Sequence, residues 1–91
     1  MTSNSKINPI EALQRIGMAV LETIKEAGDF GAPSGLIYAA LMSHGASLSQ
    51  YESFMNGLAS KQMVLLEGDC YTITEQGIAF LQKLQQKFGA A

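Results

Sequence analysis

The side chains best suited to chemistry are one histidine, His44, and one cysteine, Cys70. A histidine works as a general base or metal ligand only beside suitable partners, and a cysteine becomes reactive only where its thiolate is stabilised. His44 falls in a predicted helix-ending turn, and no basic residue adjoins Cys70. The sequence also lacks a glycine-rich phosphate loop after a strand, an HExxH motif and a paired acidic motif. We therefore expect no enzyme activity, no metal site and no cofactor.

A second set of polar side chains, between positions 49 and 61, suits binding rather than catalysis. Apolar residues recur there at helical spacing and predict a helix that buries Tyr51, Phe54, Met55 and Leu58. Ser49 and Glu52 have the spacing of a capping box at its start. The opposite face is polar and includes Gln50 and Asn56, whose side-chain amides can pair with adenine edges in duplex DNA. The outer face of this helix is therefore the candidate binding surface.

Two short runs after this helix predict a β-hairpin. The runs MVLLE and CYTIT are rich in β-branched and aromatic residues, and Gly68 and Asp69 between them suit a tight turn. Thr74 then begins a last helix with an apolar stripe formed by Ile78, Leu81, Leu84 and Phe88. This stripe is expected to rejoin the core or to meet a partner.

Two helices are predicted ahead of this unit. The first and longest is expected at 9–27, and Gly28 supplies its left-handed stop. A turn-rich connector follows, in which Phe30 is expected to tuck under the next helix and the segment 30–32 is too short to predict a strand. Ser34 is placed to cap the second helix, whose predicted buried side consists of Leu36, Ile37, Ala40 and Leu41. The segment HGAS joins it to the third helix, and its glycine suits the sharp crossing of a helix-turn-helix.

This arrangement resembles the winged helix-turn-helix domains of small prokaryotic regulators of the MarR and PadR groups and of related archaeal DNA-binding proteins. The resemblance spans positions 10–88 and is carried by Leu48, Ser49 and Leu58 in the third helix, by SKQMVLLE and by YTITEQGIAFL. It implies an α+β, mostly α fold with a three-helix core, a two-stranded wing at 64–73 and a C-terminal helix. It also implies a transcriptional regulator that reads duplex DNA with the helix 49–61 and the wing 64–73. The DNA-contact residues that it implies are Ser49, Gln50, Ser53, Asn56, Gly57, Lys61 and Gly68.

The charge of the chain favours an alternative function for the same fold. Six Lys and Arg stand against eight Asp and Glu, which gives a formal net charge of −2, whereas DNA binding usually begins when Lys and Arg neutralise phosphates. From 49 to 72 the one cation is Lys61, against Glu52, Glu67 and Asp69. Because phosphate repels an acidic wing tip, the alternative is a protein-interaction or assembly module that keeps the winged-helix shape without binding DNA.

Length and composition predict one small domain. The 91 residues, 47% of them hydrophobic, suffice for a single core at 9–88, and the ends at 1–8 and 89–91 are expected to be disordered. Because a core this small gives marginal stability, we expect a homodimer, with an interface formed by Ile10, Leu13, Leu81, Leu84 and Phe88. The single cysteine fits a reducing compartment, and no membrane-length apolar run or secretory signal is present. A cytoplasmic protein with no membrane contact is the expectation.

Overall fold

A computed structural model describes residues 9–89, in which four helices accompany three short strands. Helix α1 (Pro9–Ala27) is followed by a 3₁₀ turn (Gly28–Phe30), strand β1 (Ala32–Pro33), helix α2 (Ser34–Ser43) and helix α3 (Leu48–Ser60). Strands β2 (Val64–Glu67) and β3 (Cys70–Ile73) then lead into helix α4 (Glu75–Phe88). The α+β, mostly helical class is confirmed. The predicted tail at 1–8 and positions 90 and 91 lie outside the described residues.

The hydrophobic core draws on every helix and strand. Its largest fully buried side chains are Leu21, Ile24, Ile37, Met55, Val64 and Leu81. Among residues 9–89 no charged side chain is buried, and the buried residues that carry a hydroxyl are Tyr51 and Tyr71, so the core is held by apolar packing rather than by internal ion pairs. Helix α1 contacts both α2 and α4 as well as the sheet, and it therefore forms the support against which the other elements pack.

A tight turn between α2 and α3 sets the start of α3. Gly45 within it has a φ of 89°, a left-handed conformation that suits glycine. Ser47 then caps α3, because its hydroxyl accepts a hydrogen bond from the Gln50 N–H (3.1 Å) while the Gln50 side chain accepts one from the Ser47 N–H (2.8 Å). The predicted capping box at Ser49 and Glu52 is therefore wrong. The true box lies two residues earlier, since glutamine serves at its fourth position as well as glutamate does.

The sheet has three antiparallel strands in the order β1-β3-β2. β2 and β3 form the predicted hairpin, with Val64 opposite Ile73 and Gly68 (φ 61°) in the turn. β1 pairs with the other edge of β3, where Ala32 lies opposite Tyr71. β1 is an additional strand that the sequence did not predict, because a strand of two residues is too short to show any alternation.

The connector between α1 and β1 differs from the prediction at Phe30. This side chain does not tuck under α2 but is 93% exposed. The 3₁₀ turn and Gly31, with a φ of 84°, redirect the chain so that the next residue, Ala32, is fully buried. The small residue of β1 therefore enters the core in place of the aromatic one.

The first turn of α2 also differs from the prediction. Ser34 is the first residue of the helix rather than its cap, and Pro33 occupies the cap position without a side-chain hydrogen bond. The Ser34 N–H instead donates to the Asp69 carbonyl of the hairpin turn (2.7 Å). Leu36, predicted to be buried, is 52% exposed, whereas Ile37 is fully buried as predicted. This turn is therefore fixed by the hairpin and leaves one apolar side chain outside.

The start of α4 is held against the end of α3. Thr74, the predicted start of the last helix, caps α4 by accepting a hydrogen bond from the Gly77 N–H (2.9 Å). The Thr74 hydroxyl donates to the Gln62 carbonyl, and the Thr74 N–H donates to the Met63 carbonyl (3.1 Å). Gly77 passes so close to this segment that a Cβ there would overlap the Met63 carbonyl oxygen and lie 2.8 Å from Ile73 Cγ1. The Thr-x-x-Gly spacing therefore has a physical cause: the threonine caps the helix and the glycine leaves room for the chain before β2.

Candidate functional site

The outer face of α3 and the hairpin turn carry the residues predicted to contact DNA. The inner face of α3 is buried through Tyr51, Met55 and Leu58, which confirms the predicted amphipathic helix, whereas Phe54, also predicted to be buried, is half-buried. Six of the seven candidates are exposed and one is half-buried: Ser49, Gln50, Ser53, Asn56, Lys61 and Gly68 are exposed, and Gly57 is half-buried. The structure therefore leaves this set accessible from solvent.

Gln50 already has a structural role within this set. Its side-chain oxygen accepts the Ser47 N–H hydrogen bond of the capping box, at 2.8 Å. A paired contact with adenine uses both the oxygen and the nitrogen of the amide, so it would remove this bond from the start of α3. Gln50 is therefore a weaker base-reading residue than Asn56, which lies on the exposed side of the middle of the helix.

The charge of this surface is negative. From the start of α3 to the end of β3, Lys61 is the one cation, and Glu52, Glu67 and Asp69 are the anions. All four side chains are exposed, so solvent and salt screen their interactions over roughly 8–10 Å at physiological ionic strength. The surface therefore offers a phosphate backbone about one favourable contact and three unfavourable ones.

Other cations are held at the seam between α1 and α4. The Arg15 guanidinium carbon lies 4.3 Å from the centroid of the Phe88 ring, and Lys87 Nζ lies 5.3 Å from it. Lys87 also donates to the Gln14 side-chain oxygen (2.8 Å). Cation–π contacts such as those with the Phe88 ring contribute about 0.5–1 kcal/mol each at exposed sites. These two cations therefore join α4 to α1 rather than extend the outer face of α3.

The five residues predicted at a dimer interface do not form one exposed surface. Leu81 and Leu84 are buried, with 0% and 3% exposure, so the expectation that the core could not absorb them is wrong. Phe88 is partly buried and lies near Arg15 and Lys87. Ile10 and Leu13 are 66% and 56% exposed. The surface part of the predicted interface is therefore the N-terminal half of α1.

Two adjacent depressions lie between this half of α1 and the outer side of α3. The larger has a volume of about 540 Å³ and reaches the turn between α2 and α3, and the smaller has a volume of about 300 Å³ and reaches Phe80 of α4. Leu13, Ser53 and Phe54 line both depressions. We treat the two as one surface and call it the α1–α3 groove.

The lining of the α1–α3 groove is mostly apolar and almost uncharged. Leu13 and Ile16 come from α1 and Phe54 from α3, and among the described lining residues Lys61 is the one Lys, Arg, Asp or Glu. Five of the predicted DNA-contact residues also line it: Ser49, Gln50, Ser53, Gly57 and Lys61. Sequence reasoning missed the groove because its two walls are distant in the chain. The sequence contained one indication of the groove. Leu13 is apolar, although other apolar residues of the same helix already supply the side that faces the core.

A cluster of tyrosines supports α3 from behind. The Tyr38 and Tyr51 rings lie 5.0 Å apart at an angle of 59°, and the Tyr51 hydroxyl donates to the Ser34 carbonyl (3.3 Å). Burial, and then the neighbouring Tyr71 hydroxyl, raise the pKa of Tyr51 to about 12. The hydroxyl is therefore neutral at physiological pH and joins α3 to the start of α2, a structural role.

His44 and Cys70, the two side chains best suited to chemistry, lie in different parts of the structure. His44 is exposed at the end of α2 and lines the larger depression of the groove. Cys70 is a half-buried free thiol at the start of β3. In the described part of the chain, no group of three or more His, Cys, Asp or Glu is placed to hold a metal ion. No described helix is long and apolar enough to cross a membrane.

No protein-family model matches the chain, and neither a curated protein nor a solved structure matches it significantly.

Proposed function

We propose that this chain is a winged helix-turn-helix domain that acts as a protein-interaction module through the α1–α3 groove. The architecture is supported by the order of elements, in which a helix-turn-helix (α2 and α3) is followed directly by a hairpin (β2 and β3). It is also supported by the sheet order β1-β3-β2, which ties the strand before α2 to the hairpin. The resemblance in sequence to winged-helix regulators agrees with this architecture but leaves the function open.

The observation that carries the functional proposal is the chemistry of the groove. Its lining is mostly apolar, Leu13 within it is 56% exposed, and uncharged polar residues such as Ser49 and Ser53 also line it. Concave apolar surface with a few polar groups is typical of binding sites. Covering the exposed part of Leu13 alone would contribute roughly 1 kcal/mol. Several such side chains together would stabilise a complex at any salt concentration.

The electrostatic comparison favours protein over DNA as the ligand. Each neutralised phosphate adds about 0.9 to the slope of log K against log salt, and typical DNA-binding proteins neutralise about 6–10 phosphates. This surface offers one cation, Lys61, so the slope of log K against log salt would be about −1. The three neighbouring anions would make the salt dependence weaker still. A contact of this strength supplies little affinity.

A second candidate function is a transcriptional regulator that binds duplex DNA. The specific observation in its favour is that α3 follows a tight turn and exposes Asn56, with Lys61 exposed just beyond its end. In that function Lys61→Glu should weaken binding to all sequences, whereas Asn56→Ala should alter sequence preference. Indifference to both substitutions would remove this candidate.

The deciding experiment has a DNA arm and a protein arm. In the first, fluorescence anisotropy of a labelled mixed-sequence duplex is titrated with the protein at low salt and again at higher salt, and no salt-dependent binding is expected. In the second, partners are captured on immobilised wild type, on Leu13→Lys and on Leu36→Lys. Leu36 is a matched control, since its exposure of 52% is close to the 56% of Leu13 but it lies on α2, outside the groove.

The outcomes of the two arms are distinct. A partner held by wild type and Leu36→Lys but lost on Leu13→Lys supports the interaction module. Steeply salt-dependent DNA binding that disappears on Lys61→Glu would contradict it and establish the regulator.

A further inference from the structure

We propose that the open edge of β2, at residues 65–67, binds an extended segment of another protein, which adds a strand to the sheet and places a lysine or arginine beside Glu67. We call this surface the β2 edge. It is separate from the α1–α3 groove, since none of its residues lines the groove. Three features support the inference: the direction of the backbone groups, the exposed leucines and the charge of the hairpin.

The hydrogen-bond pattern of the hairpin leaves the backbone of Leu66 open to another strand. Hydrogen-bonded and non-hydrogen-bonded residue pairs alternate along an antiparallel ladder. The Thr74 N–H donates to the Met63 carbonyl (3.1 Å), so these two residues form a hydrogen-bonded pair at the base of the hairpin. Alternation from this pair gives Leu66, opposite Tyr71, a non-hydrogen-bonded position. The N–H and C=O of Leu66 therefore point away from β3, toward the open edge.

The opposite edge of the sheet does not offer the same groups. It is formed by β1, and the Ser34 N–H bond to the Asp69 carbonyl (2.7 Å) fixes the alternation there. Pro33 is the next residue of that ladder, opposite Cys70, so it faces away from β3. Proline has no N–H to donate. In the sheet formed by the described residues, β2 is therefore the edge that is suited to accept a strand.

The exposed side chains of the β2 edge are apolar on both faces of the sheet. Leu65 and Leu66 are 51% and 52% exposed, whereas Val64, at the start of the strand, is 1% exposed. Successive side chains of a strand lie on opposite faces, so one leucine borders the open edge on each face. Exposed apolar edge strands are templates for pairing, and addition of an extended peptide to such an edge is a common mode of recognition.

The charge of the hairpin favours a basic occupant. Glu67 ends β2 and Asp69 follows in the turn, and both are exposed. A second copy of the strand Val64–Glu67 carries no cation to set against them, so a different protein is the better match.

The register of the added strand predicts its sequence. We assign it an antiparallel direction, as in the other two strand pairs of the sheet. The residue paired with Leu66 is then preceded by one beside Glu67 and followed by one beside Leu65. The occupant should therefore read, from its N-terminal end, a basic residue, a central residue and an apolar residue.

The test is a titration of the isotope-labelled full chain with the acetylated and amidated peptide Gly-Ser-Lys-Val-Val-Ser-Gly, followed by NMR. We expect a dissociation constant of roughly 0.1–1 mM, because the contact is short. The largest shift should be at the Leu66 amide, and hydrogen exchange of that amide should slow when peptide is added. N-methylation of the first valine removes the N–H that pairs with the Leu66 carbonyl. It should weaken binding by about fivefold or more.

Two pairs of variants test the assignment on the protein itself. Leu66→Pro removes the outward N–H but no bond to β3, so it should abolish binding, whereas Leu66→Val keeps the N–H and should bind nearly as well as wild type. Glu67→Lys should weaken binding by roughly two- to fivefold at low salt. Glu11→Lys, the same change on α1, should have no effect. Circular dichroism melts of the four variants verify that the fold is retained.

Several results would overturn the inference. These are the absence of binding up to about 10 mM peptide, equal binding of the N-methylated peptide, and indifference to Glu67→Lys. Shifts centred on groove residues such as Leu13 would place the peptide elsewhere. Shifts of the Leu66 amide that grow with protein concentration alone would make a second copy the occupant. The proposed interaction module does not depend on these outcomes, since Leu13→Lys tests it at a separate surface.

Discussion

Replacement of Gly77 by alanine should destabilise this protein strongly, although alanine is the better helix former. Gly77 lies in the first turn of α4, where a Cβ would overlap the Met63 carbonyl oxygen and lie 2.8 Å from Ile73 Cγ1. The Met63 carbonyl belongs to the backbone, so rotation of a side chain cannot relieve this overlap. α4 and the chain before β2 would have to move apart.

The expected magnitude follows from opposing contributions. Overpacking costs about 1–3 kcal/mol, and the separation would also strain two hydrogen bonds of Thr74, to the Gln62 and Met63 carbonyls, at about 1 kcal/mol each. The helix propensity of alanine offsets about 1 kcal/mol of this. We therefore expect the free energy of unfolding to fall by about 2–4 kcal/mol. In a domain of this size each kcal/mol shifts Tm by roughly 4–8 °C.

Gly57 provides the matched control. It is also a glycine inside a helix, α3, but a Cβ there would have no neighbour within 4 Å. Gly57→Ala should therefore raise the free energy of unfolding by roughly 0.5–1 kcal/mol, because alanine reduces the flexibility of the unfolded chain. The two variants are the same chemical change with opposite predicted signs.

The assay is thermal and urea unfolding followed by far-UV circular dichroism. If Gly77→Ala is too unstable to measure alone, the double variant with Gly57→Ala supplies the difference, since the effects of sites that share no contact add. A Gly77→Ala protein as stable as wild type would refute the close approach of α4 to Met63. A Gly57→Ala protein that loses stability would refute the open environment assigned to α3.

Two further predictions test the attachment of α3. Ser47→Ala should lower the free energy of unfolding by about 1 kcal/mol through loss of the cap, whereas Ser49→Ala should change it by less than about 0.5 kcal/mol. If Ser49→Ala lowered the urea midpoint more than Ser47→Ala did, Ser49 would be the cap. Burial raises the pKa of Tyr51 from 10.0 to about 12, so the contribution of its neutral hydroxyl to stability is intact below pH 10 and is lost as the pH rises from about 10 to 12. The difference between the urea midpoints of wild type and Tyr51→Phe across that pH range isolates this loss. The same dependence of the midpoint on alkaline pH in both proteins would contradict it.

The sequence predicted the elements whose signal is local. Helical spacing placed the first helix at 9–27 and the third at 49–61, and the structure has them at Pro9–Ala27 and Leu48–Ser60. The hairpin was also predictable, because glycine and aspartate separate two apolar runs. In each of these cases the residues that specify an element are neighbours in the chain.

The errors at β1 and at Phe30 have a different cause, which is dependence on distant parts of the chain. β1 exists because Ala32 lies opposite Tyr71, far along the sequence, and neither residue identifies the other. Once Ala32 enters the core, Phe30 is left outside. The capping box was misplaced for a local reason, since two overlapping Ser-x-x-Gln and Ser-x-x-Glu patterns compete and only the start of α3 decides between them.

The candidate site was predicted only in part, for the same reason. The outer face of α3 followed from helical spacing and resemblance, and its residues are exposed. The α1–α3 groove required knowledge that Leu13 and Ser53 line one surface, which no local pattern contains. Leu81 and Leu84 were assigned to a dimer interface because their apolar stripe does not indicate which neighbour it faces.

The remaining question about α3 is which kind of interaction its rigid outer side can support. The helix is fixed at its start by the Ser47 cap and behind by the Tyr51 hydroxyl, so its exposed side chains project from a well-supported backbone. A rigid surface with little positive charge discriminates by shape and apolar contact, and its affinity should vary little with salt. A surface that reads DNA gains much of its affinity from released counterions and loses it steeply as salt rises. Salt dependence is therefore the property in which the two functions differ most. Because this surface carries one cation and three anions, we expect its binding affinity to change little with salt concentration.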